Sequence, residues 1–515
     1  MADIATGQTT ASLWASACRE FGDRPFLVQL DADGGRSEFS YAEFGRLIHR
    51  AAHAFSGLGI GAGDTVALQI GNSPEMLAAL FGLTEIGGIA VPLGLTATPA
   101  ELLQAYRASG ARWAVVEAVR VGDHLDLREQ GAVADRRLIA VHGRVDGAES
   151  FEALCSSQCD EPVAEVPVTC DSVAELLYTS GTTAAPKGVM VTHANFAFSG
   201  HYGVWQTSLR PDDRLFTTMP ACHSNFQLAA LTPVLVAGAT LVMAQRYSAT
   251  RFWQQVRQER ATVVQLIAMM ARTLLLQPAS ADDGRHQVRD ALYFMPLSDA
   301  EKGEFERRFR VRLLNSYGST ESIGWAVTDP PQGARRWPSV GRAGLGYEVG
   351  IFDPDGRELP PGQVGEFRIK GVPGRSLMLG YHQDPGATAA ALSPDGWLRT
   401  HDTGYADSDG WFYFVDRSVN VIKRAGENIS TSEVECVLTS HPLVAEAAVV
   451  GVPDPVRDWA VKAFVRLVPG ADLAGADLAA FCSTQLAAFK VPEVFEVVQD
   501  FPRTASMKIE KRLLH

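Results

Sequence analysis

Tyr178–Gly188 reads YTSGTTAAPKG, and this stretch decides what the surrounding chain can be. The apolar pair Leu176-Leu177 just before it is typical of the end of a buried strand, and VMVTHANF after it begins a new element. Small residues and hydroxyls let a loop approach a ligand closely, and turned backbone N–H groups bind anions. Lys187 adds a full positive charge. The stretch therefore predicts a polyphosphate-binding loop, with these ligand-facing residues: Thr179, Ser180, Gly181, Thr182, Thr183 and Lys187.

Two other interpretations of this loop have to be weighed. Clusters of Gly, Ser, Thr and Pro between ordered segments are common in loops that bind nothing. A Walker A loop is disfavoured, because G-x-x-x-x-G-K-[ST] would need glycine at Pro186 and a hydroxyl at Gly188. The prediction of a bound nucleotide therefore depends on whether residues that could bind its adenine, its ribose and a metal ion occur further along the chain.

Composition narrows the class of protein. The chain has 515 residues, of which 46% are hydrophobic and 20% charged, which indicates an ordinary globular protein of at least two domains. Its net charge of −13 argues against a nucleic-acid surface. The N-terminus lacks a secretory signal pattern, and the seven cysteines are dispersed, which favours a cytoplasmic protein with reduced thiols over a zinc site. The oligomeric state stays open.

The order of the elements predicts the fold. Amphipathic helices alternate with short β-rich runs up to about residue 320, which predicts two parallel-type α/β sheets with helices on their faces. The apolar run Leu228–Ala244, about 17 residues long, is too short to span a membrane and is interpreted as a buried strand–turn unit. Beyond residue 330, β-runs between DPDG, PPGQ and DSDG turns indicate a small β-barrel-like region. The predicted domains are residues 1–416 and a small α+β domain at 417–515.

Several downstream residues could contact a nucleotide. Tyr317 could stack on a purine, Glu321 could hold a divalent ion, and Asp402 could accept hydrogen bonds from a ribose diol. Each has a plainer interpretation as part of a self-capped turn. Arg417 and His223 are similarly ambiguous alone, because boundary arginines are mostly solvated and single histidines are mostly structural.

The last segment, PRTASMKIEKR, ends an acidic chain with a locally basic stretch. Basic tails are usually solvated. Here Lys508 stands between turn-forming and β-branched residues, so a small domain could deliver it to a site.

Together these motifs carry a resemblance. In chain order, YTSGTTAAPKG, MPACH, YGSTE, HDTG, VDR, IKRAGENIS and PRTASMKIEKR resemble the adenylate-forming superfamily of acyl-CoA synthetases, luciferases and adenylation domains. The resemblance covers nearly the whole chain. The stretches GVWQTSL, LSDAEK and ARRWPSVGR look closest to crotonobetaine/carnitine–CoA ligases.

The resemblance implies an AMP-forming acid–thiol ligase that uses ATP, Mg²⁺ and, as its thiol, CoA. A small-molecule carboxylic acid attacks ATP to give acyl-AMP and pyrophosphate, and a thiol then takes the acyl group. It implies catalytic roles for Lys508, His223 and Glu321, and a Mg²⁺ site at Thr182 and Glu321. The adenine and ribose would be held by Ser316, Tyr317, Gly318, Ser319, Thr320, Asp402 and Arg417. The acyl pocket would be lined by Trp205, His223, Phe226, Phe294, Met295 and Trp325. The thiol step would use Lys423, Gly426 and Glu427.

Four positions depart from the pattern and put the thiol step in doubt: Met507 before the lysine, Trp459 after Asp458, Val419 at the hinge, and His401 before Asp402. One alternative is therefore an enzyme that passes its acyl-AMP to a separate protein or carrier thiol. A second alternative is a catalytically silent nucleotide-binding protein. No acidic residue is obviously placed to hold a quaternary ammonium, so a carnitine-type acid does not follow.

Overall fold

Two large sheets form the body of the protein in the computed structural model. The structure describes residues 4–129, 137–164, 166–179, 187–294, 297–417, 421–424, 427–454, 458–486, 488–504 and 508–514. Within them, the first sheet has nine strands in this spatial order: Arg342–Ala343, Val327–Thr328, Arg312–Tyr317, Asp290–Phe294, Val263–Ile267, Arg214–Thr217, Thr240–Ala244, Pro25–Leu30 and Arg36–Ser40. The second has eight: Gly380–Tyr381, Lys187–Thr192, Val173–Thr179, Ile89–Pro92, Thr65–Gln69, Trp113–Glu117, Arg137–Val141 and Glu149–Ser150.

Both sheets are parallel in their centres and antiparallel at some edges. Thr65–Gln69 pairs in parallel with both Ile89–Pro92 and Trp113–Glu117. The strand Val173–Thr179 instead forms a hairpin with Lys187–Thr192, and Thr179 and Lys187 are the last paired residues on either side of the loop. The predicted mixed α/β architecture is confirmed, and the polyphosphate-loop sequence occupies a hairpin.

A layer of buried helices separates the two sheets. Pro74–Glu85 and His193–Thr207 are buried along most of their length, which a helix covered on two sides requires. At Gly203 a Cβ atom would lie 2.2 Å from Cγ of Pro233, so only glycine lets the helix His193–Thr207 approach the helix Thr232–Ala237 this closely. The helices of the chain up to residue 417 are Thr10–Phe21, Tyr41–Gly57, Pro74–Glu85, Pro99–Ser109, Val121–Glu129, Phe151–Ser156, His193–Thr207, Ser224–Phe226, Thr232–Ala237, Phe252–Gln258, Ala268–Leu275, Asp299–Phe309 and Pro385–Ala391.

The interpretation of Leu228–Ala244 as a strand–turn unit was wrong in its first half. A π-helical turn, Gln227–Leu231, runs into the helix Thr232–Ala237, and only Thr240–Ala244 is a strand. Pro233 stands in the first helical turn and Gly238 ends the helix in the left-handed conformation, with φ +66°. Both are standard positions for these residues at helix ends.

The β-rich region after residue 330 forms an antiparallel four-stranded sheet with its own small core. Its strands are Glu348–Phe352, Gly365–Lys370, Trp397–Ala406 and Phe412–Arg417. Ile351, Phe367 and Phe412 pack together with Val327, which belongs to the nine-stranded sheet. This sheet is therefore joined to the body where the YGSTE motif ends its strand, which fulfils the prediction of a small β-barrel-like region.

The C-terminal region packs around a separate hydrophobic cluster. Its strands and helices are Val421–Arg424, Glu427–Ser430, Thr431–Thr439, Val444–Asp454, Asp458–Leu467, Gly475–Ser483 and Val494–Val497. Apolar residues from Ile422 to Leu486 fill the cluster. Since the last strand of the four-stranded sheet ends at Arg417, the boundary predicted at residues 416 and 417 falls at the end of an element. The boundary itself stays a prediction.

Candidate active site

The hairpin that carries the polyphosphate-loop sequence presents Lys187 beside an aromatic ring. Its Nζ lies 5.0 Å from the ring centroid of Tyr381, within the range of a cation–π contact. Thr179 is the last residue of the preceding strand. Ser180, Gly181, Thr182 and Thr183 lie outside the described residues, so their predicted contacts with phosphate stay predictions.

Glu321 contacts the same tyrosine. Tyr381 donates its phenolic hydrogen bond to Oε1 of Glu321 at 3.0 Å, and the backbone carbonyl of Glu321 accepts from Met378 at 2.8 Å. Burial, followed by the Glu321 charge, raises the pKa of Tyr381 far above its ordinary value. The tyrosine therefore stays protonated and keeps donating, which holds the carboxylate beside the ring that Lys187 contacts.

The sequence analysis did not identify Tyr381. Tyr381 comes close to Lys187 only because the short strand Gly380–Tyr381 pairs with the strand Lys187–Thr192, and no local sequence pattern indicates this pairing.

Tyr317 and Asp402 meet although 85 residues separate them. The phenol of Tyr317 donates to Oδ2 of Asp402 at 2.7 Å, and the aspartate is only 5% exposed. The ring of Tyr317 packs against Phe367 with 4.9 Å between centroids. Asp402 and Arg417 are register partners on adjacent antiparallel strands, although the side chain of Arg417 is not described. The two predicted ribose-binding positions therefore lie side by side.

The remaining residues of the YGSTE motif are fixed by close contacts. Gln206 donates to the hydroxyl of Ser316 at 2.9 Å from the buried helix layer. At Gly318 a Cβ would lie 2.6 Å from the carbonyl oxygen of Gly324, so the turn requires glycine. The backbone N–H of Ser319 donates to Ser322 at 2.8 Å. The turn is therefore rigid next to the Tyr317–Asp402 pair.

His223 lies next to this turn. Its neighbour Ser224 hydrogen-bonds the hydroxyl of Thr320 at 3.1 Å, which connects the MPACH and YGSTE motifs. Nε2 of His223 is buried and has no hydrogen-bond partner among the described residues. Burial, with a further contribution from the charge of Lys508, lowers the pKa of His223 to about 4. The imidazole is therefore neutral near pH 7.

Lys508 belongs to the C-terminal region, yet its charge acts on His223 in the body. Its carbonyl accepts a hydrogen bond from the Thr504 N–H at 2.8 Å, and the next residue, Ile509, forms an isolated antiparallel β-bridge with Arg503, so backbone contacts hold the lysine on both sides. The Lys508 side chain is exposed. The charge of Lys508 therefore reaches His223 although the two residues are far apart in the chain.

Aromatic rings line the side where the acyl group was expected. Phe294 and Trp325 pack in a tilted arrangement with 4.9 Å between ring centroids, and Trp205 packs on Tyr202 with 5.3 Å between centroids. Tyr202 also donates a hydrogen bond to the carbonyl of Trp325, so it connects the two pairs. Phe226 is completely buried in the main core. Met295 lies outside the described residues.

The residues predicted for the thiol step belong to the small hairpin Val421–Arg424 and Glu427–Ser430. Gly426 and the side chains of Lys423 and Glu427 are outside the described part of the chain, so their roles stay predictions. Nearby, Trp459 packs over Gly451, where a Cβ would lie 3.2 Å from the indole, and it leaves 42% of its surface exposed.

Glu321 fits a Mg²⁺ ion that is bound mainly by the nucleotide, and not a metal ion that is held by protein ligands alone. The described residues contain no group of three or more metal-ligating side chains. Magnesium in nucleotide sites usually takes one or two carboxylates, phosphate oxygens and water. Oε1 of Glu321 accepts from Tyr381, and Oε2 is the oxygen that could take this role.

Comparison with known proteins decides the family. A profile described as AMP-binding enzyme matches residues 14–382, and one described as AMP-binding enzyme C-terminal domain matches residues 433–508. The chain belongs to the AMP-binding enzyme family. A crotonobetaine/carnitine–CoA ligase of Salmonella agona is 42% identical over 515 residues, which cover 99% of this chain and all of the relative.

Solved structures agree with this assignment. A benzoate CoA ligase from Burkholderia xenovorans has a TM-score of 0.86 at 26% identity, covering 98% of this chain and 99% of that one. ATP-bound MatB from Rhodopseudomonas palustris also gives 0.86, at 26% identity and 98% of both chains, whereas its apo form gives 0.75. The overall arrangement is thus closer to the ATP-bound form.

The chain is an AMP-forming acyl-CoA ligase, with ATP, CoA and a small carboxylic acid as substrates. Among the described residues, no helix is long and apolar enough to cross a membrane.

Proposed function

We propose that this AMP-binding family enzyme forms acyl-AMP in the cleft where Lys508 meets His223, Tyr317 and Asp402. One observation supports this best: contacts connect motifs that lie far apart in the chain. Lys187 contacts the ring of Tyr381, and Tyr381 donates a hydrogen bond to Glu321. Thr320, the neighbour of Glu321 in the chain, hydrogen-bonds Ser224, which follows His223. These contacts support the proposal that the phosphate, metal and carboxylate positions belong to one site.

In the first half-reaction a carboxylate oxygen of the acid bonds to the α-phosphorus of ATP, and the bond from that phosphorus to the bridging oxygen of pyrophosphate breaks. Both reactants are anions, so positive charge between them stabilises the transition state. Lys508 supplies that charge at the acyl end and Lys187 at the departing phosphates. Bound Mg²⁺ would neutralise phosphate charge next to Glu321.

The neutral state of His223 fits this chemistry. A neutral imidazole can donate one hydrogen bond to the acyl carboxylate without adding a second fixed cation beside Lys508. Asp402 and Arg417 hold the ribose in this scheme, and Tyr317 presents its ring to adenine.

In the second half-reaction the thiolate of CoA attacks the acyl carbon and AMP leaves. We assign Lys423, Gly426 and Glu427 to this step on the resemblance of their motif, IKRAGENIS, to the family; Lys423 and Glu427 stand in the hairpin that begins the C-terminal region. The comparisons favour CoA over transfer to a separate carrier protein, since the relatives reported above are named CoA ligases.

For the acid itself we propose crotonobetaine and carnitine as the first compounds to test, with aromatic acids second. The relative's name suggests the former. The connected rings of Trp205, Tyr202, Trp325 and Phe294 offer faces that attract quaternary ammonium groups, which the sequence analysis did not foresee. We further propose residues 1–416 and 417–515 as the two domains, and a cytoplasmic location where ATP and CoA are available.

A panel of carboxylic acids tests this proposal. Each acid is assayed for ATP–pyrophosphate exchange and, separately, for acyl-CoA formation. Exchange and thioester with the same acid support the full ligase. Exchange without thioester supports transfer to another acceptor, and absence of exchange with every acid supports a silent nucleotide-binding protein.

A further inference from the structure

Glu175 is a buried acid that the chemistry above does not use. It lies in the strand Val173–Thr179, four residues before Thr179, and none of its surface is exposed. Neither carboxyl oxygen has a hydrogen-bond partner among the described residues. Ala90 and Val191 flank it on the adjacent strands. A carboxylate left unpaired in such a place is costly, so the neutral acid is favoured.

Gln227, which neighbours Glu175, also has a buried oxygen that lacks a hydrogen-bond donor among the described residues. This oxygen is Oε1, and the whole side chain is fully buried. The Gln227 side chain acts on the carboxyl of Glu175 as a hydrogen-bonding neighbour. Three buried oxygens, two on Glu175 and one on Gln227, therefore have no hydrogen-bond partner among the described residues. A single proton on Glu175 resolves the arrangement, because its O–H can donate to Oε1 of Gln227.

Gln227 in turn holds the segment that carries His223. Its Nε2 donates to the carbonyl of Ala221 at 3.0 Å, and its backbone N–H donates to the carbonyl of His223 at 3.0 Å. On the other side of this segment, Asn72 accepts from the Ala221 N–H at 2.7 Å and donates to the carbonyl of Met219 at 2.8 Å. Two side-chain amides thus fix the turn Met219–His223, and Gln227 also begins the π-helical turn Gln227–Leu231.

We infer that Glu175 is a positioning residue, held as the neutral carboxylic acid. Its O–H donates a hydrogen bond to Gln227 and so fixes the turn that presents His223 to the acyl group. This inference rests on the role proposed for His223. Ionisation of Glu175 would place a carboxylate against Oε1 of Gln227 and push the amide away from Ala221. Adenylation then weakens as the proton is lost.

The titration is simple because few charged groups surround the carboxyl. Burial raises the pKa of Glu175 to about 8, and Gln227 moderates the rise. Cys222 is the titratable neighbour that responds to its charge, and burial followed by Glu175 raises the pKa of that thiol to about 12. The cysteine therefore stays protonated through the range in which Glu175 would ionise.

Glu175→Gln is the decisive variant, since an amide can donate to Gln227 without titrating. We expect its kcat/KM for the acid in pyrophosphate exchange to stay within about threefold of the wild type near pH 7. The wild type should lose activity as the pH rises through about 8, and the variant should not. Glu175→Leu, which cannot donate, should lose about tenfold at all pH values, with KM for ATP unchanged.

Asp329→Asn provides the matched control. Asp329 is also a buried acid with an unpartnered oxygen, Oδ1, but it bonds the Asn315 N–H and not the His223 turn. This variant should keep the alkaline loss of activity. The inference is overturned if Glu175→Gln keeps the wild-type alkaline loss, or if it is inactive near pH 7.

An activity-free measurement separates this inference from the proposed function. Infrared difference spectra of the wild type and Glu175→Gln near pH 7 should show a protonated carboxyl C=O band that only the wild type has. Absence of that band means that Glu175 is ionised, and it overturns the inference even if adenylation is intact. If the band is present but no carboxylic acid substrate supports pyrophosphate exchange, the proposed function fails while the inference that Glu175 is protonated is retained.

Discussion

Tyr317 donates a 2.7 Å hydrogen bond to Asp402 across the junction between the nine-stranded sheet and the four-stranded antiparallel sheet. The phenol thereby occupies one carboxylate oxygen of a nearly buried aspartate that ribose hydroxyls are expected to share. Because the ring also packs on Phe367, the aspartate is held at a fixed distance from the expected plane of the adenine. The YGSTE and HDTG motifs are thus held together by this contact, as the proposed nucleoside site requires.

Replacing Asp402 should therefore weaken nucleotide binding selectively. A hydrogen bond to a charged group contributes about 1.5–3 kcal/mol, so Asp402→Ala should raise KM for ATP roughly 10- to 100-fold. Tyr317→Phe retains the ring and the aspartate, so its KM for ATP should change by less than about threefold. Steady-state pyrophosphate exchange at varied ATP measures both. Equal effects of the two substitutions would contradict the separate roles of ring and carboxylate.

Lys508 should control the rate of adenylation and not the binding of ATP. Removing one preorganised charge-stabilising donor costs about 10²–10³ in rate, so Lys508→Ala should lose that much pyrophosphate exchange. Lys511 is a matched control, since it pairs with Glu435 at 2.7 Å and donates to Thr431 at 2.7 Å within the C-terminal region. Lys511→Ala should lose at most a few-fold. ATP affinity measured by calorimetry should be unchanged in Lys508→Ala, and normal exchange in that variant would refute the assignment.

Trp459 should affect the thiol step alone. Its exposed face, 42% of the side chain, offers apolar surface near the hairpin assigned to that step. If the pantetheine arm covers this face, Trp459→Ala should raise KM for CoA about tenfold and leave pyrophosphate exchange within about twofold. Val494, which is 44% exposed in the same three-stranded sheet, is the control position for a change in exposed apolar surface. A parallel loss in both half-reactions would show that the tryptophan stabilises the C-terminal region instead.

The large architecture and the grouping of motifs could be predicted because local patterns report them well. Apolar residues at helical spacing predict a helix over Tyr41–Leu58, and the structure has one at Tyr41–Gly57. The strand expected before the polyphosphate loop is Val173–Thr179. The segment after Leu228 was assigned wrongly for a physical reason. A fully buried helix and a fully buried strand are both continuously apolar, so periodicity does not separate them. Pro233 and Gly238, spaced as helix-end residues, carried the better signal.

The contacts between individual residues of the site could not be predicted from the sequence. Glu175 looks like one polar residue in an apolar strand, and nothing local connects it with Gln227, which follows 52 positions later. Tyr381 becomes meaningful only because its strand pairs beside Lys187. Burial of a single polar atom depends on which distant segments meet, and that is a property of the fold.

Stability of the main domain should fall at mildly acidic pH because of His193. This imidazole is fully buried between helices, its Nδ1 accepts the Thr10 N–H at 3.2 Å, and burial lowers its pKa to about 4. The unfolded chain takes up the proton near pH 6.5, so between about 6.5 and 4 it binds more protons than the folded protein. Stability is therefore lost as the pH falls through this window, by up to about 3 kcal/mol.

His193→Gln, which keeps an acceptor for Thr10 but does not titrate, should flatten this acid dependence of the free energy of unfolding. Urea denaturation at about pH 7 and about pH 5 measures it. His142 provides a control of opposite sign, because hydrogen bonds to Glu117 and Glu75 raise its pKa to about 10. Its stabilisation is complete below about pH 6.5 and is lost as the pH rises towards 10, so His142→Gln should leave the acid dependence intact. An acid dependence that is equally steep in His193→Gln and the wild type would assign the effect to other groups.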